Sequence, residues 1–189
     1  PVIESPWAPP GTYTVRLTVD GAQYTQPIRV VLDPRVTTNR AALTQLATVS
    51  RELWRGAHAT HVAQRQARAL SAMLANVTGA DVAAFRAQVD SLAPASPAGG
   101  RPRGRRRGAG TGGTLIGAAM AMMSAANTMQ GADVAPTAAQ LAAAAAARAQ
   151  QADVMAQWTT LHTTRLAALN AARKSSGQQP IMLPAVSTR

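Results

Sequence analysis

Cysteine is absent from the 189 residues, which excludes disulfides, thiolate metal sites and cysteine nucleophiles. Aromatic residues are scarce, with three Trp, two Tyr and one Phe. A core must therefore come from Leu, Val, Met and closely packed Ala, a thin kind of packing that partner contact would reinforce. Lysine occurs once and acids number eight against eighteen arginines, so the net charge is +11. That balance points to an acidic or anionic partner surface, although a GC-rich genome would also enrich Arg and Ala. Long apolar runs are missing too. The longest, Leu115 to Ala126, covers about twelve residues and includes Gly117 and Ser124, short of the ~20 needed to span a bilayer, so no transmembrane segment is expected. The chain opens on proline without a charged-then-apolar leader, which suggests a processed product or part of a longer chain.

Reactive constellations are equally sparse. His58 and His61 lie three apart on one helical stretch and could share a metal, but Glu52 is more than a turn away and no His-Glu-x-x-His arrangement exists. Solvated polar-face histidines are the better account. His162, near Trp158, is expected to border core packing. Asp81 and Asp90 share a helix nine residues apart and offer no convergent pair for acid–base hydrolysis. GTGGT at 110–114 precedes a helix, yet no strand leads into it and no Gly-Lys-Ser/Thr follows, so loop flexibility explains it better than a phosphate cradle. Neither a catalytic residue nor a cofactor or metal site is assigned, and the chain is expected not to be an enzyme.

What is present begins with sheet. Tyr13, Val15, Leu17 and Val19 alternate with Thr14, Arg16, Thr18 and Asp20, the period of a half-buried strand. Asp20-Gly21 supplies a type I′ turn signal. A two-residue loop sets Val19 opposite Ala22 and brings Tyr24, Ile28, Val30 and Leu32 onto the apolar face of the first strand. Pro27 confines the second strand to an edge or bulge, and Asp33-Pro34-Arg35 ends it. Two strands alone are marginal, so this face requires cover from the helices or from another chain. Ahead of the hairpin, PVIESPWAPP reads as an extended arm, with Trp7 as its anchor, either on its own domain or on a partner.

Beyond residue 38 the period becomes helical. Leu43, Leu46, Leu53, Ala57, Ala67 and Leu74 form a stripe widened by Val62, Leu70 and Met73, interrupted by Thr60 and Gln64, with Gly56 as a candidate bend. Thr78 and Asp81 resemble a capping box for a second helix carrying Val82, Phe85, Val89 and Leu92. A third covers Thr114 to Gln130 with Met120, Met122, Met123 and Met129. A fourth runs from Pro136, as a first-turn residue, to about Lys174, followed by an extended tail. The fold expected is mainly α: an arm and hairpin over 1–37, a partial sandwich, then an antiparallel bundle of about four helices over 38–189 in up-down-up-down order. Between the second and third helices lies the Pro/Gly/Arg-rich linker 94–113. Its Arg101, Arg103, Arg105, Arg106 and Arg107 face no acid between Asp90 and Asp133. Three readings stand for this run: a solvated segment, a contact with acidic protein surfaces or anionic lipid headgroups, and nucleic acid, the last weakened by the lack of stacking aromatics.

The segment WAPPGTYTVRLTVDGAQYTQPIRVVLDPRV, with its Gly-Thr-Tyr strand, Asp-Gly turn and Asp-Pro-Arg exit, resembles the C-terminal region of bacterial sortilin-like Asp-box β-propeller proteins, often labelled glycosyl hydrolases. Asp133 to Gln140, DVAPTAAQ, looks like that family's approach to its last long helix. The resemblance covers residues 7–33 well and the helices loosely. It brings no catalytic residue, because the propeller blades are not in this chain, and it implies a periplasmic or extracellular location. Such a tail standing alone also resembles a periplasmic accessory subunit of a bacterial photosynthetic reaction-centre complex. The expectation is thus a non-enzymatic, extracytoplasmic scaffolding subunit, peripheral to a membrane, that binds other protein subunits through Trp7 and the five loop arginines. The accessory tail of an Asp-box hydrolase and a nucleic-acid binder are the alternatives.

Overall fold

A computed structural model describes residues 5–95 and 113–186. Over these the chain is mainly helical, with an N-terminal antiparallel hairpin followed by four helices. Strand β1 (Gly11–Val19) pairs with β2 (Ala22–Val30) in the register expected, Val19 opposite Ala22, Leu17 opposite Tyr24 and Tyr13 opposite Ile28. Asp20 and Gly21 take φ of 48° and 83°, the left-handed pair that a type I′ turn requires. Strand β2 stops at Val30, before the Asp33-Pro34 boundary. Leu32 therefore leaves the apolar face and instead lines a cleft with Leu43. Among the described residues the sheet has two strands, and the arm 5–10 does not extend it.

Helix α1 (Arg40–Leu74) starts where Asn39 accepts a hydrogen bond from the Ala42 N–H, and runs about 53 Å without interruption. Gly56 does not break it. The glycine instead makes room for a neighbour, since a Cβ there would collide with the terminal methyl of Met122. Thr60 and Gln64, which interrupt the stripe in sequence, are buried; the Thr60 hydroxyl is satisfied by donating to the Gly56 carbonyl at 2.7 Å. Met73 lies off the stripe and is exposed.

Helix α2 (Ala80–Leu92) is capped by Gly79 at φ 134°, without a side-chain bond, so the Thr78–Asp81 capping box does not form. A full capping box appears at α4 (Ala138–Thr160), between Thr137 and Gln140, which leaves Pro136 just outside the helix rather than in its first turn. Helix α3 (Leu115–Met129) is capped by Thr114. After α4 the helix widens into one π turn, Leu161–Arg165, and continues as α5 (Leu166–Ser175). Gly177, at φ 70°, then ends it in a Schellman motif, the Gln178 N–H reaching the Arg173 carbonyl and the Gly177 N–H that of Lys174. The tail folds back rather than trailing free. Asn170 brackets Ile181 through both its carbonyl and its N–H, and Gln66 donates to the Pro184 carbonyl at 3.0 Å.

Helices α2 and α3 both run antiparallel to α1, so the order departs from strict alternation. Asp90 accepts from Ser71 (2.6 Å) and Arg68 (3.0 Å), and Val82, Phe85 and Val89 share a core with Leu70 and Leu74, which sets α2 along the later half of α1. Leu115 and Ala118 join that core beside Ala63 and Ala67, while Met122 to Met129 share a second core with Leu46, Val49, Leu53 and Ala57. Helix α3 thus covers the earlier half of α1 and runs opposite to it, as α2 does. Helix α4 returns parallel to α1, with Arg148 paired to Glu52 at 2.7 Å and Trp158 in the core of the later half. The sequence is up, down, down, up. Length explains it: α2 and α3, of 13 and 15 residues, must lie in line to cover a 35-residue helix. The result is three long columns, α1, α2 plus α3, and α4 plus α5, the middle one interrupted by the linker.

Candidate functional site

The hairpin stands outside these columns. All of β1 and nearly all of β2 are exposed, including the face built from Tyr13, Val15, Leu17, Val19, Tyr24 and Ile28. These six side chains are 36–61% exposed, which leaves on the order of 500 Å² of apolar surface on one side of a ribbon. Cover from the helices, one of the two options the alternation required, is not what the chain adopts.

The base of the hairpin explains why. On the incoming leg the Tyr13 hydroxyl donates to the Pro9 carbonyl at 2.5 Å, next to Pro10. On the outgoing leg Asp33 accepts from the Arg35 backbone N–H at 2.9 Å and from its guanidinium at 2.6 Å, and the Val36 N–H closes a turn on the Asp33 carbonyl. Arg35, through its guanidinium first and its backbone second, holds the Asp33 carboxyl below the ordinary carboxylate range, and the pair raises Arg35 in turn. Proline stiffness and these bonds fix both legs, so the ribbon projects instead of folding down.

Trp7 is fastened to the bundle through its backbone. Its backbone N–H donates to Gln130 Oε1 at 2.9 Å, tying the arm to the end of α3, while its side chain stays 50% exposed. Together with Pro9, Leu32, Leu43, Leu46 and the buried Ser50, it lines a cleft of about 330 Å³ under the hairpin base. Nothing in the sequence marks this cleft, because it joins an arm, a strand exit and a helix far apart in the chain. A second, more apolar groove of about 440 Å³ runs between α1 and α3, lined by His61, Ile116, Met120 and Met123.

Arg101, Arg103, Arg105, Arg106 and Arg107 lie outside the described residues. His58 stacks on Trp54, ring centres 5.6 Å apart, while His61 opens onto the groove. His162 packs at 4.9 Å on Trp158 with Nδ1 2.7 Å from the Trp158 carbonyl, at the border of the core. Among the described residues no three His, Cys, Asp or Glu side chains converge as metal ligands, and no helix is long and apolar enough to cross a membrane. No family model, no curated protein and no solved structure matches this chain.

Proposed function

We propose that this chain is a non-enzymatic interaction subunit that docks through the apolar face of its hairpin onto another protein of a larger assembly. The observation carrying this reading is the face itself: a well-registered ribbon, amphipathic apart from Gln26 opposite Val15, held clear of a bundle that already has its own core. A two-stranded ribbon gains little stability alone, so its apolar set is best accounted for by a second surface. The net charge of +11 favours acidic subunits, or anionic lipid headgroups at a membrane surface, over basic partners. The extracytoplasmic, membrane-peripheral setting, and with it the accessory-subunit role in a photosynthetic complex, rests on the resemblance of residues 7–33.

The test compares the chain with a Leu17→Asp/Tyr24→Ser variant, measuring what copurifies from the native source. Loss of stoichiometric partners with an unchanged melting curve is expected. Retention of the same partners by the variant would sink the proposal.

A further inference from the structure

We infer that the partner adds a β-strand to the outer edge of β1, not of β2, and that this strand alternates apolar with acidic residues. The inference rests on the docking reading above and narrows it to one edge and one chemistry.

The edge follows from the register. In a two-residue loop the flanking residues, Val19 and Ala22, exchange the first ladder bonds. Every second pair outward, Leu17–Tyr24, Val15–Gln26 and Tyr13–Ile28, repeats that exchange. The backbone groups of Thr12, Thr14, Arg16 and Thr18 on β1, and of Gln23, Thr25, Pro27 and Arg29 on β2, therefore point away from the partner strand. Pro27 removes a donor from the middle of the β2 edge, so an incoming strand would lose a bond there and meet the ring. The β1 edge keeps all four donors and acceptors. Thr12 to Thr18 are exposed throughout, and among the described residues none of their backbone groups is engaged outside the hairpin ladder.

The chemistry follows from the side chains. Residues whose backbone faces the edge carry side chains on the polar face, where Arg16 and Arg29 are the only charges; the nearest acid, Asp20, sits in the turn. A second copy of the chain is a poor occupant. The antiparallel register that pairs all four outward residues with their copies sets Arg16 diagonal to its own mate, and each chain carries +11. An incoming strand with acids on the polar side satisfies Arg16, while its apolar residues widen the exposed face that Val15 and Leu17 begin.

The probe is a nine-residue peptide alternating valine and glutamate, with blocked termini, titrated into the full chain beside a valine–lysine peptide. Expected are saturable binding of the glutamate peptide, roughly tenfold weaker binding of the lysine peptide, and slowed amide exchange at Thr12, Thr14, Arg16 and Thr18. Thr14→Pro, which sits opposite Pro27 and removes only an outward donor, weakens binding by roughly tenfold; Thr25→Pro on the other edge leaves it unchanged. Arg16→Glu, which leaves the backbone alone, reverses the peptide preference. No glutamate-peptide binding, equal binding of both peptides, or exchange protection at Gln23 and Thr25 would overturn the inference. If native partners survive Thr14→Pro but are lost in Leu17→Asp/Tyr24→Ser, the edge assignment fails and the docking reading stands. If neither variant loses them, the docking reading fails as well.

Discussion

The hairpin and the bundle carry apolar patterns of equal regularity, yet one pattern is buried and the other is not. Leu70 on α1 has no exposed surface, because it shares a core with α2 and with Val154 and Trp158 of α4. Leu17 on β1 occupies an equally regular position and is 59% exposed. Periodicity states which face will be covered, but the covering must come from an element within reach. Helix α1 has two columns beside it. The hairpin, held off by its proline-flanked legs, has none among the described residues. Regular amphipathicity is thus a property of an element, whereas burial is a property of its neighbours.

This contrast can be tested by truncating the same residue type in both regions. Leu70→Ala should destabilise the bundle by about 2–5 kcal/mol in a denaturant titration followed by helical circular dichroism. Leu17→Ala should fall within about 0.5 kcal/mol in the same titration. If the two cost the same, the hairpin face is packed in solution and the contrast is lost. A smaller effect is expected at the junction of α1 and α2. Asp90→Ala removes the shared acceptor of Arg68 and Ser71 and the charge paired with Arg86. The ion pairs are more than a third exposed, so screening leaves about 1 kcal/mol, carried mostly by the buried Ser71 hydroxyl.

The smallest effect concerns the outgoing leg. The Asp33 carboxyl is held low by Arg35, so its contribution is present above the ordinary carboxylate pKa and is lost as pH falls through the depressed one. Because this pair is fully exposed, the expected result is local. Arg35→Ala should move the Asp33 titration, followed by carboxyl NMR shifts, up towards the ordinary range, with the backbone N–H at position 35 keeping part of the depression, while global stability stays unchanged. An unmoved titration would show that the leg is not fixed by this pair.

Much of this architecture was legible in the sequence because its determinants are local. Val19 and Ala22 are set opposite each other by Asp20-Gly21 alone, and α1 begins at Asn39 because a side-chain acceptor there meets the Ala42 N–H. Features that depend on distant partners were not legible. The order of the helices follows from how much of α1 each short helix can cover. Gly56 looked like a bend because Met122, the reason for it, lies 66 residues further on. Thr60 and Gln64 looked like breaks in a stripe, although a helix interior can hold a threonine that bonds back to its own turn. The cleft that Leu32 and Ser50 share with Trp7 was not legible, because it exists only once the chain has folded.

The in-line placement of α2 and α3 has one more consequence. The chain leaves the middle column after Leu92 and Ala93 and rejoins it at Leu115, with all three residues buried in the same core. Both attachment points are held by the bundle. Lengthening such a connection costs only loop-closure entropy, about 0.6 kcal/mol for each doubling. A tag inserted after Ala95 is therefore expected to leave the three columns as they are.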